Sequence, residues 1–304
     1  LGYQIYYITK PYDSLLVIYL KSKQIAIGNV FVRGYSSKQS GFNSPGALEI
    51  INTQQLKNLS LHSPAPVINS LPGLYMHSGA KNTNRITIRG IGSRSMYTTT
   101  KIKAYLNEIP LTSGIGETTL EDLDLNTIDR ITVLKGPSPS VYGSALGGAI
   151  LYKMGVPSEK GLMVQQQSTA GSYNLFKNTT HASWSNSRTG VKLSYNKLKD
   201  KGYRENDNYN RDGITTLVSH QLTKDIDISY LGRYHELKAF IPSSVSEETF
   251  QNDPSYAADN WKAVSGNETY SKLLNGLSLN VDLNDQITTA TSLFIKHYEG
   301  NEIR

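Results

Sequence analysis

The chain contains no cysteine among its 304 residues, which excludes disulfides and thiolate metal sites. Aromatic bulk is thin outside tyrosine: two tryptophans and six phenylalanines stand beside 20 tyrosines. Long apolar runs are missing as well. The longest, Leu15 to Leu20, falls far short of the roughly 20 residues a helical span needs, so any membrane crossing must use strands. The six histidines, at positions 62, 77, 181, 220, 235 and 297, include no pair at helical metal-ligand spacing, and no His-Glu-x-x-His occurs. Gly136-Pro137-Ser138 and Gly143–Gly148 are followed by no Gly-Lys-Ser/Thr, so a phosphate loop is excluded. Arg89-Gly90-Ile91-Gly92 lacks the third glycine of a dinucleotide fold, and there is no Gly-x-Ser-x-Gly elbow. The glycines read as tight turns that need positive φ. No catalytic constellation, metal set or cofactor motif is left, and the chain reads as something other than an enzyme.

What is present is alternation. Hydrophobic residues make up 38% of the chain, low for a packed globular core and ordinary for a barrel whose strands alternate apolar and polar residues. Val191-Lys-Leu193-Ser-Tyr195, Ile226-Asp-Ile228-Ser-Tyr230 and Leu277-Ser-Leu279-Asn-Val281 follow period two. About seven such strands fit between Leu162 and His297. Short turns fall at Ser187–Gly190, Thr223–Asp225 and Asn284-Asp285, and long connections at Asp200–Asp212 and about Glu236–Leu274. Short turns at one end and long loops at the other suit a membrane barrel, with Val191, Leu193, Tyr195, Leu277 and Leu279 facing lipid and Lys192, Ser194 and Ser278 the lumen. A soluble β-sandwich binding or adhesion module shows the same alternation and is the rival reading.

Before residue 155 the texture differs. Helices are expected near Thr53–Leu59 and over Pro66–Leu71, where Pro72-Gly73 stops the second. Thr118 and Glu121 have capping-box spacing for a third helix over Leu120, Leu123 and Ile128, which would leave Glu117, Glu121, Asp122 and Asp124 on a solvated face. Strands are expected at Arg85–Arg89, Ile102–Leu106, Ile131–Leu134 and Ala149–Lys153.

The run Arg85-Ile-Thr-Ile-Arg-Gly-Ile-Gly92, then Leu134-Lys-Gly-Pro-Ser138 and Val141-Tyr-Gly-Ser-Ala-Leu-Gly-Gly148, resembles the plug domain of the TonB-dependent outer-membrane receptors. Leu71-Pro72-Gly73-Leu74 resembles the turn after that family's first plug helix. Lys201-Gly-Tyr-Arg-Glu-Asn206 and Ile241-Pro-Ser-Ser244 resemble its iron-complex branch. Thr132, Asn107-Glu108 and Leu151-Tyr152 depart from the family's usual residues. The resemblance implies a mainly β fold: a small α+β plug inside a transmembrane β-barrel of 22 strands, of which about the first seven are present. It divides the chain into the end of an N-terminal carboxypeptidase-regulatory-like β-sandwich (1–24), a TonB-box region and linker (25–45), the plug (46–155) and a truncated N-terminal part of the barrel (156–304).

The implied function is energy-coupled import of a scarce ligand across the bacterial outer membrane, a ferric siderophore or other iron complex, with haem, cobalamin or an oligosaccharide as alternatives. The implied partners are TonB with its inner-membrane complex, the iron chelate, and outer-membrane lipid and lipopolysaccharide. Lys and Arg are scattered through a net charge of +6, which fits an acidic ligand and leaves no nucleic-acid footprint. Ile25, Ile27, Val30 and Val32 form an extended apolar stretch before a polar linker, suited to strand addition on TonB. Arg94, Met96, Tyr97 and Thr112 lie on plug loops expected to touch ligand. Arg89 and Arg130 stand at strand ends where family arginines pair with barrel carboxylates.

Overall fold

The computed structural model describes residues 47–59, 63–82, 84–92, 99–114, 116–137, 142–157, 159–284 and 286–304. The expectations for 1–45, among them Ile25, Ile27, Val30 and Val32, lie outside the described residues, as do Arg94, Met96 and Tyr97.

Residues 47–153 build a small α+β body. Strand β1 (Ala47–Asn52) runs into helix α1 (Thr53–Lys57), where the Asn52 side chain accepts from the Gln55 amide and Gln55 returns the bond. Helix α2 (Ala65–Asn69) starts with proline at its first turn. Its apolar face, Ala65, Val67 and Ile68, is buried. Gly73, at φ +76°, turns the chain into a hairpin of β2 (Leu74–Ser78) and β3 (Asn84–Ile88). The remaining strands are β4 (Ile102–Leu106), β5 (Ile109–Pro110), β6 (Arg130–Lys135) and β7 (Gly148–Lys153). They form with β1 a five-stranded sheet in the order β1-β6-β7-β4-β5, in which only β4 and β7 are parallel. At Gly148, φ +131°, any Cβ would collide with the Leu134 carbonyl oxygen, so the tight β6–β7 approach requires glycine.

The helix expected over Leu120–Ile128 is absent. Asp124 caps a single 3₁₀ turn at Leu125–Thr127, and Leu120, Leu123, Leu125 and Ile128 are each buried without helical periodicity. These leucines satisfy a plug surface pressed against a wall, and the spacing that suggested a helix follows from that contact.

Residues 161–303 form an antiparallel meander of seven strands: β8 (Gly161–Gly171), β9 (Leu175–Ser185), β10 (Thr189–Asp200), β11 (Tyr209–Thr223), β12 (Ile226–Phe240), β13 (Asn267–Asp282) and β14 (Thr288–Ile303). Register places one apolar residue from every strand in a single outward row: Leu162, Trp184, Val191, Val218, Tyr230, Leu277 and Leu293. On the other face Lys192, Ser194, Asn196 and Ser278 are buried against the plug. Apolar outside and polar inside is the pattern of a membrane barrel wall and the reverse of a soluble sandwich, whose core is the apolar face. Strands β11 to β14 run to 15 or 16 residues, longer than the roughly 9–11 that cross a bilayer. The long connections are therefore shorter than the sequence suggested, 201–208 and 241–266, the second holding helices α3 (Glu247–Asn252) and α4 (Asp259–Ala263).

Plug and wall share one apolar core. Leu217, Leu231 and Leu274, on inward positions of β11, β12 and β13, pack in the same cluster as Ile109, Leu120 and Ile128.

Candidate functional site

The wall offers cations to the plug. Inward positions on six successive strands carry one each: Lys177 on β9, Lys192 on β10, Arg211 on β11, Arg233 on β12, Lys272 on β13 and Lys296 on β14. Strand register confines them to four adjacent inward rows. Facing them, the Leu120–Asp129 segment of the plug supplies carboxylates.

Asp124 takes Lys177 at 2.7 Å, with Arg211 at 4.0 Å. It also accepts from the Thr179 hydroxyl at 2.9 Å. Lys177 and Asp124 side chains are only 4% and 1% exposed, so this pair is desolvated and removal of either charge strands the other. Asp122 accepts from Lys272 at 2.8 Å, lies 3.4 Å from Arg233, and has His235 Nε2 at 3.2 Å. Arg233 also donates to the Asp122 backbone carbonyl. Lys192 is 3.5 Å from Asp129 and donates to the Thr127 carbonyl at 3.3 Å. Arg211 donates to the Glu121 carbonyl at 2.6 Å and Lys296 to that of Thr112 at 2.6 Å.

Burial works to raise the Asp122 carboxyl, and Lys272 and Arg233 overcome it, holding it well below the usual carboxylate range. Asp124 follows the same balance, with burial opposed by Lys177 and Arg211, and ends lowered. Glu121 is compensated too little: burial, and the Asp122 charge beside it, push its carboxyl up to about 8 against the Asn82 amide bond and the Arg211 charge.

Above this lock opens a cavity of about 1410 Å³, larger than the usual 300–1,000 Å³ of a small-molecule site. Asp122, Arg233, Lys272 and Lys296 line its inner end, Tyr270 and Tyr298 its wall side, and Ile241, Ser243, Ser244 and Trp261 of the long loop its outer end. Lys272 stands 4.4 Å from the Tyr270 ring centre and 5.6 Å from that of Tyr298, a cation framed by aromatic faces. Asn82, at φ +66° in the β2–β3 turn, donates to Glu268 at 2.8 Å and accepts from the Tyr270 hydroxyl at 3.0 Å, fixing the plug's outer edge to β13. Lys81 beside it reaches Asp200 at 3.0 Å and Asp207 at 3.4 Å.

The 241–266 loop is held by its neighbour 201–208. Arg204 donates to the Ser243 carbonyl at 2.8 Å and to that of Tyr256 at 2.7 and 3.1 Å. Asn206 donates to the carbonyls of Ile241 and Gly266, which pins both ends of the loop together. Glu205 binds Lys262 at 2.8 Å, and its amide donates to the Ser255 carbonyl.

Of the residues singled out from sequence, Thr112 borders this region. Its hydroxyl is engaged inside the plug, 2.9 Å from that of Thr118 and 3.3 Å from the Ala104 amide, while Leu111, Ser113 and Gly114 line the cavity. Arg89 sits exposed at φ +50° in the turn after β3, its amide donating to the Gly73 carbonyl. Arg130 is half-buried at the start of β6 with an unbonded Nε. Among the described residues neither pairs with a carboxylate; the pairs at Asp122, Asp124 and Asp129 have the opposite polarity, and the plug cation that does meet wall-side carboxylates is Lys81. Asp122 and Asp124, read from sequence as a solvated helix face, are instead the buried centre of the lock. One signal for it was available: a single Lys or Arg at lumen parity on strand after strand, matched by Glu121-Asp-Leu-Asp124 upstream.

Residues 40–149 match the family described as TonB-dependent Receptor Plug Domain. The chain is 26% identical over 134 residues to a hemin receptor of Yersinia enterocolitica, a match covering 43% of this chain and 19% of that protein. It is 31% identical over 113 residues to an iron-regulated outer membrane virulence protein of Vibrio cholerae, covering 36% of this chain and 17% of the relative. Among solved structures it is similar to the ferric citrate transporter FecA in its unliganded form, with a TM-score of 0.73 at 18% identity. That superposition covers 86% of this chain and 41% of the transporter, so the chain spans less than half of the receptor whose fold it shares.

Proposed function

We propose that the chain is part of a TonB-dependent receptor that imports an iron complex across the outer membrane, a ferric siderophore first among the candidates. One observation carries the reading: a 1410 Å³ cavity stands over a plug whose inner end is tied to the wall by buried ion pairs. A wide outer chamber with a locked floor suits capture first and inward release only when work is done on the plug. That work is supplied through TonB and its inner-membrane complex. The apolar outer rows meet lipid and lipopolysaccharide. The likeness to the hemin receptor supports haem as the second ligand.

Within this reading, Arg94, Met96, Tyr97 and Thr112 contact the ligand from the plug side. Arg89 and Arg130 meet carboxylates of the barrel wall beyond the seven strands. Ile25, Ile27, Val30 and Val32 add as a strand to TonB through main-chain hydrogen bonds. Proline removes one such donor and fixes φ. Ile27→Pro or Val30→Pro in the full-length receptor is therefore expected to abolish uptake while surface binding and abundance stay normal. Normal uptake in both would place the TonB contact elsewhere.

The function itself is tested by growing cells lacking the receptor on a panel of iron sources and following radiolabelled uptake with and without TonB. Loss of uptake of one iron complex, restored by the receptor only when TonB is present, is the expected result. Uptake indifferent to TonB overturns the reading. Cobalamin or oligosaccharide uptake in place of iron reassigns the ligand.

A further inference from the structure

The six wall cations divide into two sets. Lys177, Lys192 and Arg211 are covered by the plug, and Asp124 and Asp129 answer their charge. Arg233, Lys272 and Lys296 line the cavity, and Asp122 is the carboxylate that Arg233 and Lys272 share. Lys296 spends its hydrogen bond on a neutral carbonyl, that of Thr112. Three cations to one carboxylate leave an unbalanced positive charge at the cavity's inner end. Glu268 and Glu302, which also line the cavity, lie opposite each other on β13 and β14, two inward positions farther out than Lys272, where Glu268 is held by Asn82 and Glu302 by Arg304. Glu117 approaches from the plug loop at the cavity side. Lys272 lines the cavity and keeps 27% of its side chain exposed.

We propose that a polyanionic chelate and the Asp122 carboxylate compete for Lys272, Arg233 and Lys296, so that an anion bound in the cavity loosens the plug's hold on the wall. The inference rests on the import reading above and names the chemical class of its cargo: a complex carrying several carboxylates or comparable oxyanions. The physical reason is that a cation pair in a shielded site prefers the partner bringing more charge, because attraction there is weakly screened. Once Lys272 turns to the cargo, Asp122 is left buried with one cation fewer, and the Leu120–Asp129 segment loses an anchor on β13 while Asp124 keeps those on β9 and β11. Occupancy of the cavity is thereby felt at one end of the lock and not the other. Coupling of this kind is reciprocal: if the anion weakens the Asp122 contact, removing Asp122 strengthens anion binding by the same factor.

Reciprocity gives the test. Sodium citrate is titrated calorimetrically against the purified full-length receptor in detergent, with sodium chloride at matched ionic strength as control. Lys272→Gln is expected to weaken citrate binding at least tenfold. Asp122→Asn is expected to tighten it several-fold, the opposite of what loss of a merely structural or ligand-holding residue produces. In the wild type, citrate should speed hydrogen exchange of the 120–128 amides several-fold and leave the β6–β7 amides unchanged. That measurement stands even if the Asp122 variant fails to fold. Unchanged exchange at 120–128 under saturating citrate, or citrate affinity unchanged or reduced in a folded Asp122→Asn, overturns the inference. No citrate binding to the wild type above the chloride control overturns it as well. None of these readouts involves TonB or uptake, so the import reading can fail or survive independently.

Discussion

Gly276 shows how closely single residues fit plug to barrel. It occupies an inward position on β13, and a Cβ built there collides with the Ile109 side chain of the plug. Overpacking of this kind costs about 1–3 kcal/mol and displaces whichever partner yields first. Gly276→Leu is expected to leave barrel assembly intact, judged by heat-modifiable electrophoretic mobility, and to raise protease sensitivity of the plug. Glu121 offers a second check at this scale. Its folded carboxyl is pushed up to about 8 from 4.5, so its contribution to stability is full below pH 4.5 and declines as pH rises toward 8. Glu121→Gln should therefore match wild type in thermal melts near pH 4.5 and grow more stable than it as pH rises, the difference levelling above pH 8. A difference that ignores pH would mean Glu121 is solvated in the receptor. Lys192 was legible as lumen-facing from alternation alone. The burial of Asp122 and Asp124 was not, because their partners lie 53 (Lys177) to 150 (Lys272) residues away and local pattern carries no trace of them.

Among elements, the strands read most clearly. Period two marked the wall at Val191–Tyr195, Ile226–Tyr230 and Leu277–Val281, since each strand has one lipid-type and one lumen-type face, while the outer halves of β12 and β13 read as part of a long connection. Plug strands β1 and β2 were missed: five- and six-residue segments with short apolar content look like linker until the sheet supplies their neighbours. The false helix over Leu120–Ile128 has a related origin, leucines spaced by an interface and not by a helical turn. Loop 241–266 read from sequence only as part of a long connection at about Glu236–Leu274, and its hydrogen bonds to 201–208 make it an ordered part of the cavity. Arg204 contributes three charge-assisted bonds to it. Removing a half-buried charged donor that serves two carbonyls costs about 1.5–3 kcal/mol, enough to open a surface loop. Arg204→Ala is expected to introduce protease cutting within 241–266 and weaken ligand binding at least tenfold, with Arg204→Lys only partly restoring either. Unchanged proteolysis would mean that Asn206 and Glu205 hold the loop unaided.

For the whole molecule the outward rows decide where the membrane lies. Leu277 and Leu193 are exposed on the outer face, and arginine at a barrel's lipid face costs about 2–4 kcal/mol near the midplane. Leu277→Arg in the full-length receptor should lower unfolding free energy in lipid by that order, whereas Ser278→Ala, one residue on and facing the plug, should change it little. Spin labels at Leu193 and Leu277 are expected to relax with oxygen, those at Ser194 and Ser278 with neither oxygen nor water-soluble reagent. Equal accessibility would move the membrane boundary. The arrangement of the plug sheet has a mechanical corollary. Strand β1 is an edge strand, joined by one ladder of six residue pairs to β6, while β6, β7 and β4 are each gripped on two sides. Tension arriving along the chain ahead of Ala47 therefore loads an edge strand, which can part from the sheet without breaking any other ladder. The Asp122 and Asp124 anchors lie on the far side of β6, in the segment that leads into it, and carry none of that load until β1 has gone. Pulling on the N-terminal side should accordingly register a weak first release followed by a stronger one, a sequence set by which strand the chain happens to enter through.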